Sequence, residues 1–82
     1  MIPRIKTITA ADDYKLNVFF DDGKRVVYNV MQDIESIDDF KQLLTLQGLW
    51  ENFQLDESRT CVFWNDRIDL PSDMIYEYGE EI

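Results

Sequence analysis

The chain has 82 residues, a length that suits a single domain spanning residues 1–82. Its 17 carboxylates and 8 cationic side chains give a net charge of -9, which repels nucleic acid and anionic membranes and attracts a basic protein. The chain has no histidine and one cysteine, which excludes Ser-His-Asp and Cys-His catalysis, nearly all zinc sites and an internal disulfide.

The sequence shows no signal-peptide pattern and no apolar run of membrane-spanning length, so we expect a cytoplasmic protein. The apolar fraction of 45% suffices for one core. Because the usual catalytic sets are absent, we expect a protein that is not an enzyme and holds no cofactor and no catalytic metal.

The first half of the sequence predicts three antiparallel strands, at residues 5–10, 14–20 and 24–30, separated by Asp-rich turns. A three-residue loop at residues 21–23 sets Val18 opposite Val26 and makes one face of the hairpin almost wholly apolar. This register predicts a type I turn followed by Gly23 in the left-handed conformation.

The next segment predicts a connection at residues 31–35 and then one helix that Ser36 caps and that ends before Gly48. Apolar residues at helical spacing predict one buried stripe, made of Ile37, Phe40, Leu43 and Leu44.

The second half predicts three further strands, at residues 51–55, 60–64 and 68–70. A four-residue loop between the first two sets Phe53 opposite Val62. The last helix is expected to begin near Pro71, with Asp69 as its cap, and to end at Gly79 before a solvated acidic tail. The order βββ-α-βββ-α, with antiparallel meanders and no βαβ alternation, predicts an α+β fold.

Most residues that could carry chemistry have a structural explanation. The acidic pairs lie at turns and helix starts, where Asp is favoured locally. Cys61 lies in the middle of a strand with no neighbouring cation, so we expect a packed and inert thiol. Carboxylates lining a pocket could still bind a small ligand or a divalent metal, which is the alternative to protein binding.

The aromatic residues suggest an interaction surface. Phe19 points away from the apolar face of the first hairpin, and Trp50 precedes a strand with polar positions. Together with the acidic pair Asp21 and Asp22 they form the candidate surface for a partner. Apolar area that the helices leave uncovered would favour a homodimer, and the sequence is equally compatible with a monomer.

The order of several short motifs resembles the DUF2442 family of small bacterial proteins. The N-terminal part of the motif set is Pro3, Tyr14, Leu16, Val18, Phe20, Asp22 and Gly23. Phe40 follows, and then come Trp64, Asp69, Leu70, Pro71 and Tyr76. The resemblance covers nearly the whole chain and implies a small α+β domain with no established activity and no catalytic residues.

The resemblance also implies a partner. Family members look like proteins encoded beside a DUF4160-type protein, in a pairing similar to a toxin–antitoxin module in which the acidic protein is the antitoxin. We therefore expect a non-enzymatic, acidic interaction domain that binds a basic protein.

One turn departs from the family pattern. Where the family resembles Pro-Asn-Gly after the Trp, this chain has Asn65, Asp66 and Arg67. A two-residue turn on Asn65 and Asp66 would pair Trp64 with Arg67. A three-residue turn, which we prefer because it agrees with Phe53 opposite Val62, sets Trp64 opposite Ile68 and requires Arg67 to adopt a positive φ, at a cost of about 1 kcal/mol.

Overall fold

The computed structural model describes residues 2–82, and strands and short helices follow one another between Ile5 and Glu81. The first strands are β1 (Ile5–Ala11), β2 (Lys15–Phe20) and β3 (Arg25–Asn29). The middle of the chain forms α1 (Met31–Ser36), a 3₁₀ turn (Asp38–Lys41), α2 (Gln42–Thr45) and a second 3₁₀ turn (Trp50–Asn52). The last elements are β4 (Gln54–Leu55), β5 (Cys61–Asn65), β6 (Ile68–Pro71), α3 (Ser72–Tyr78) and β7 (Glu80–Glu81).

The strands form two antiparallel sheets, with orders β1-β2-β3-β7 and β4-β5-β6. The predicted α+β class is therefore confirmed. The register of the β2–β3 hairpin is also confirmed, because Val18 pairs with Val26 and Leu16 with Tyr28. Gly23 has the expected positive φ of 93°.

One apolar cluster lies between the sheets and the helices. It contains Ile5, Leu16, Val18, Phe20, Val26, Tyr28, Val30, Ile34, Phe40, Leu43, Val62, Trp64, Ile68, Leu70 and Ile75. Both sheets contribute alternate residues to this cluster, as strands with one buried face must. Helix α3 contacts both β3 and β6 and so closes the core where the sheets meet.

The helical segment begins earlier than the sequence predicts. Residues 31–36 form α1, in place of a connection, and the Asn29 side chain accepts a hydrogen bond from the Met31 N–H (3.1 Å). The predicted cap at Ser36 is wrong, because its hydroxyl donates back to the Gln32 carbonyl (2.8 Å). The break comes at Ile37, a β-branched residue with extended dihedrals.

The predicted apolar stripe is correct for only half of its members. Phe40 and Leu43 are buried, whereas Ile37 is 43% exposed and Leu44 is 48% exposed. The interruption at Ile37 and the change from a 3₁₀ turn to an α-helical turn disrupt the single 3.6-residue period that a continuous stripe needs.

The β4–β5 register differs from the prediction by two residues. Leu55, not Phe53, pairs with Val62, and only residues 54–55 form a strand. The Asp56 carboxylate accepts the N–H groups of Thr60 (2.9 Å) and Cys61 (3.1 Å), which closes the loop one residue later than expected. Because the shift is even, each side chain keeps its predicted face.

The β5–β6 turn has a different geometry from the predicted one. The pair Val62–Leu70 is confirmed, but Ile68 pairs with Asn65 rather than with Trp64. Arg67 is not among the residues with positive φ, so that prediction is wrong. The Asn65 side-chain oxygen accepts the N–H groups of Arg67 (2.8 Å) and Ile68 (3.0 Å), and a bulge at Trp64 absorbs the extra residue.

The C-terminal segment adds a strand that the sequence did not indicate. Asp69 does not cap α3, since it lies in β6 opposite Phe63 and no side chain caps the helix. Gly79 ends α3 as predicted, and residues 80–81 pair with β3 as β7 instead of forming a free tail. A Cβ on Gly79 would lie 2.9 Å from Val26, which explains the glycine at this crossing.

No helix within residues 2–82 is long and apolar enough to cross a membrane.

Two adjacent leucines test the corrected stripe. Leu43→Ala should lower the free energy of unfolding by about 2–4 kcal/mol, because Leu43 is 2% exposed and truncation leaves a cavity. Leu44→Ala should change it by less than about 1 kcal/mol, because that side chain is 48% exposed. Urea unfolding measures both; equal losses would contradict the observed break in the stripe.

Candidate functional site

An open cleft of about 780 Å³ lies where the N-terminal segment, the β2–β3 turn, the β4–β5 loop and α3 meet. Its charged and hydrogen-bonding lining includes Arg4, Asp21, Asp22, Asp73, Tyr76 and Glu77. The cleft brings together the two predicted acidic residues of the first hairpin with two further carboxylates of α3. Four carboxylates and one cationic side chain, Arg4, therefore line this space.

Arg59 connects the β4–β5 loop to the wall of the cleft. Its guanidinium donates two hydrogen bonds to the Asp21 carboxylate, both 2.8 Å long, and a third to the Ile5 carbonyl (3.2 Å). This bidentate geometry matches the planar fork of arginine. The hydrogen bonds from Arg59 lower the pKa of Asp21, and the nearby charges of Lys6 and Arg4 act in the same direction.

Asp22 is held by the last helix. The Tyr76 hydroxyl donates to its carboxylate (2.6 Å), and the backbone N–H of Lys24 donates to its other oxygen (2.9 Å). These hydrogen bonds lower the pKa of Asp22 and raise that of Tyr76. The Lys24 ammonium in turn donates to the Tyr76 carbonyl (3.0 Å) and lies 4.0 Å from the centre of its ring. The β2–β3 turn and α3 are thus fixed relative to each other.

Asp73 and Glu77 complete the carboxylates of the cleft. They are four residues apart on α3, so they lie on the same side of the helix, and both are exposed. Neither forms an ion pair within residues 2–82. The Asp73 carboxylate accepts only the neighbouring Met74 N–H (2.9 Å) among the side-chain hydrogen bonds of the described chain.

The N-terminal wall of the cleft depends on one buried polar group. Ser72 is fully buried, and its hydroxyl donates to the Pro3 carbonyl (2.6 Å). Because a buried hydroxyl without a partner would destabilise the fold, this bond fixes residues 2–4 against the start of α3.

The cleft is not arranged as a metal centre. Among residues 2–82, no three carboxylate or thiol side chains converge in the way that a bound metal ion requires. Asp21 and Asp22 instead direct oxygens toward Arg59 and Tyr76.

Cys61 lies outside the cleft in β5 and is half-buried. Burial raises the pKa of its thiol, and the negative charges of Asp69 and Asp56 raise it further. The thiolate, which is the nucleophilic form, is therefore disfavoured at neutral pH.

The four residues of the predicted interaction surface do not form one surface. Asp21 and Asp22 lie in the cleft, whereas Phe19 is on the opposite face of β2 from Phe20. Trp50 packs between Tyr14 (ring centroids 5.1 Å apart) and Trp64 (5.7 Å, stacked), and it is half-buried.

The motif residues of the second half have structural positions. Trp64 is buried and its indole N–H donates to the Trp50 carbonyl (3.0 Å). Leu70 is in the core, Asp69 is exposed on β6, and Pro71 precedes the first turn of α3.

The sequence reasoning missed Tyr76 and Glu77 as parts of the cleft. In the sequence, Tyr76 stands out only as a motif residue. Its three-residue spacing from Asp73 places both on neighbouring positions of one helix, and this spacing is the signal that could indicate the cleft. Their approach to Asp22 crosses 54 residues of sequence, which no local pattern records.

The two small sheets, the three short helices and the acidic cleft define a small α+β domain. The model of the family described as "Protein of unknown function (DUF2442)" matches residues 5–81, so the chain belongs to the DUF2442 family. The search of curated proteins and the search of solved structures each found no match.

The hydrogen bond between Tyr76 and Asp22 can be tested by titration. Tyr76→Phe should raise the pKa of Asp22 toward its ordinary value, because the hydroxyl donor is lost. Tyr78→Phe is the matched control, since Tyr78 is 76% exposed and makes no side-chain hydrogen bond within the described chain. Carbon-13 NMR of the aspartate carboxyls measures both; an unchanged Asp22 in Tyr76→Phe would disprove the assignment.

The same carboxylates should make folding sensitive to acid. Asp21, Asp22 and Asp56 all have lowered pKa values in the folded chain. Their contribution is complete above the unfolded value of about 4 and is lost as the pH falls through the lower folded values. Thermal unfolding between neutral and acid pH should therefore show a smaller decrease in Tm for Asp22→Asn than for the wild type. Asp12→Asn, at an exposed turn, should retain the full decrease.

Proposed function

We propose that this chain is a non-enzymatic interaction domain whose cleft binds a basic segment of a partner protein. The observation that supports the proposal is the presence of four carboxylates around one open cleft, in a chain with a net charge of -9. Such a field attracts a cationic partner and increases its rate of association.

The two pairs of carboxylates have different roles in this proposal. Asp21 is already paired with Arg59 through both of its oxygens, so it shapes the wall of the cleft. Asp22 is oriented by Tyr76, so it loses little side-chain freedom when a partner binds. Asp73 and Glu77 have no ion-pair partner within residues 2–82, so they are free to bind lysine or arginine.

The contact between Lys24 and Tyr76 illustrates what the cleft can hold. An ammonium there already combines a carbonyl acceptor with an aromatic ring at 4.0 Å. A lysine of a partner would instead meet the exposed carboxylates of α3, Asp73 and Glu77.

The resemblance to proteins encoded beside a DUF4160-type protein gives the proposal a specific partner. We infer an antitoxin-like role, in which the acidic domain binds that basic neighbour. Co-expression of the two proteins tests this step, and the complex should dissociate at high salt because exposed charge pairs are screened.

A small cationic ligand is the second candidate, because it would use the same carboxylates. The cleft is open, which suits a protein segment better than a small molecule, whose sites usually enclose most of its surface. A thermal-shift panel of amines and divalent ions would support the ligand if one of them raised Tm strongly.

The cleft can be tested with a labelled lysine-rich peptide. Asp73→Asn combined with Glu77→Gln should weaken binding about tenfold, because two exposed ion pairs are lost. Glu35→Gln combined with Glu51→Gln removes the same charge from exposed positions outside the cleft. Fluorescence anisotropy compares the two double variants. Equal weakening by both would show that net charge alone binds the peptide, and would refute a role for the cleft.

A further inference from the structure

We propose that the outer face of the four-stranded sheet, with the free edge of β1, binds an extended acidic segment of a partner protein. This outer sheet face consists of the side chains on β1–β3 that point away from the core, chiefly Lys6, Thr7, Lys15, Phe19, Arg25 and Val27. It is separate from the cleft, because Phe19 and Phe20 point to opposite sides of β2. The proposal does not depend on the one made for the cleft.

The charge of the outer sheet face is opposite to that of the whole chain. Strands β1, β2 and β3 contain no aspartate or glutamate, although the chain has 17. Their outward side chains include three of the 8 cations. The carboxylates that border the face include Glu80, which pairs with Val27 at the far edge of the sheet, and Asp12 and Asp13, which lie in the exposed turn between β1 and β2.

The cations of this face form no ion pair within the described chain. Arg59, Lys41 and Arg67 form ion pairs, but Lys6, Lys15 and Arg25 do not. Asp21 borders the face at the β2–β3 turn, and both of its carboxylate oxygens accept hydrogen bonds from Arg59.

Phe19 sets the positions of two of these cations. The Lys6 ammonium lies 5.5 Å and the Arg25 guanidinium 4.8 Å from the centre of the Phe19 ring. The ring attracts both cations electrostatically and holds their heads near one row of the sheet. Thr7, the partner of Phe19 on β1, adds a hydroxyl beside them.

The edge of β1 provides backbone groups for an extended chain. β1 is the terminal strand of its sheet and pairs only with β2. Its Ile5 N–H donates to the Arg59 carbonyl (2.8 Å), and no further backbone hydrogen bond reaches this edge within residues 2–82. A strand at an edge presents unpaired N–H and C=O groups, which an incoming peptide can pair with.

The cations of the outer sheet face and the free edge of β1 together indicate which kind of partner segment would bind. A peptide pairing with β1 would direct alternate side chains onto the outer sheet face beside Lys6, whose ammonium lies over the same Phe19 ring as the Arg25 guanidinium. Glutamate or aspartate at alternate positions therefore complements the charge of this face. Single-stranded nucleic acid fits less well, because the ring that would stack on a base is already contacted by two cations. A second copy using the same face would bring like charges together.

A labelled peptide of alternating glutamate and threonine, as long as β1, tests the proposal. We expect saturable binding that salt weakens, and amide shifts in nitrogen-15 NMR that are confined to β1 and the residues around Phe19. Lys6→Gln combined with Arg25→Gln should reduce the affinity about tenfold, because two exposed ion pairs are lost. Both positions are exposed, and a thermal melt verifies that the double variant folds.

Lys41→Gln combined with Arg67→Gln is the matched control, since it removes the same charge from exposed positions elsewhere. It should change the affinity by less than about twofold. The proposal is overturned if both double variants weaken binding equally, if the shifts map elsewhere, or if the glutamine–threonine peptide binds as well. Tighter binding of an oligothymidine, or self-association that Lys6→Gln with Arg25→Gln abolishes, would assign the face to nucleic acid or to a second copy instead.

Discussion

The structure depends on one shared apolar core, because neither sheet can bury its own inner face. The three-stranded sheet has short strands, and without the other sheet its inward residues Val62 and Leu70 would be exposed to water. The four-stranded sheet, whose strand β7 has only two residues, would likewise expose Phe20. A small domain buries only about 60% of the surface of its unfolded chain, so loss of any one layer is costly. Helix α3 and the middle helices complete the enclosure, which is why the chain behaves as one α+β unit.

Polar bonds between distant segments fix how the two sheets meet. Arg59 binds both Asp21 and the Ile5 carbonyl, and Ser72 binds the Pro3 carbonyl. The pair of Arg59 with Asp21 adds little energy because it is partly exposed, whereas the Ser72 hydroxyl is buried and needs its partner. Both contacts determine where the loops and the N-terminal segment lie. The acidic cleft is a consequence of this meeting, since it forms between segments that the bonds hold near one another.

The separation of charge follows from the same arrangement. Most acidic residues occupy turns and helix surfaces, where aspartate is favoured locally, and a few lie in β6 and β7, whereas the first three strands contain none. Folding collects those strands into one sheet, so the cations they carry become neighbours. A net charge of -9 therefore conceals a face of opposite sign.

Sequence patterns predicted the features that depend on neighbouring residues. The α+β class, the register of Val18 with Val26, the left-handed Gly23 and the helix end at Gly79 all follow from local alternation and turn chemistry. These features are local because a short loop brings its own strands together.

Local patterns predicted the wrong register or turn where a side chain, and not a backbone carbonyl, accepts the N–H groups of the turn. The Asp56 and Asn65 side chains accept backbone N–H groups and so set the β4–β5 register and the turn before Ile68. Arg67 therefore needs no positive φ. Several turn geometries satisfy the same apolar pattern, and the choice among them depends on these individual hydrogen bonds.

The sequence by itself determined the fold class, the first hairpin, the acidic character of the chain and the absence of histidine chemistry. Tertiary structure alone decided the pairing of residues 80–81 with β3, the cleft around Asp22 and Tyr76, and the basic outer sheet face. The physical reason is distance along the chain. Composition and periodicity record what each residue prefers near its neighbours, whereas these features arise between segments that only the shared core brings into contact.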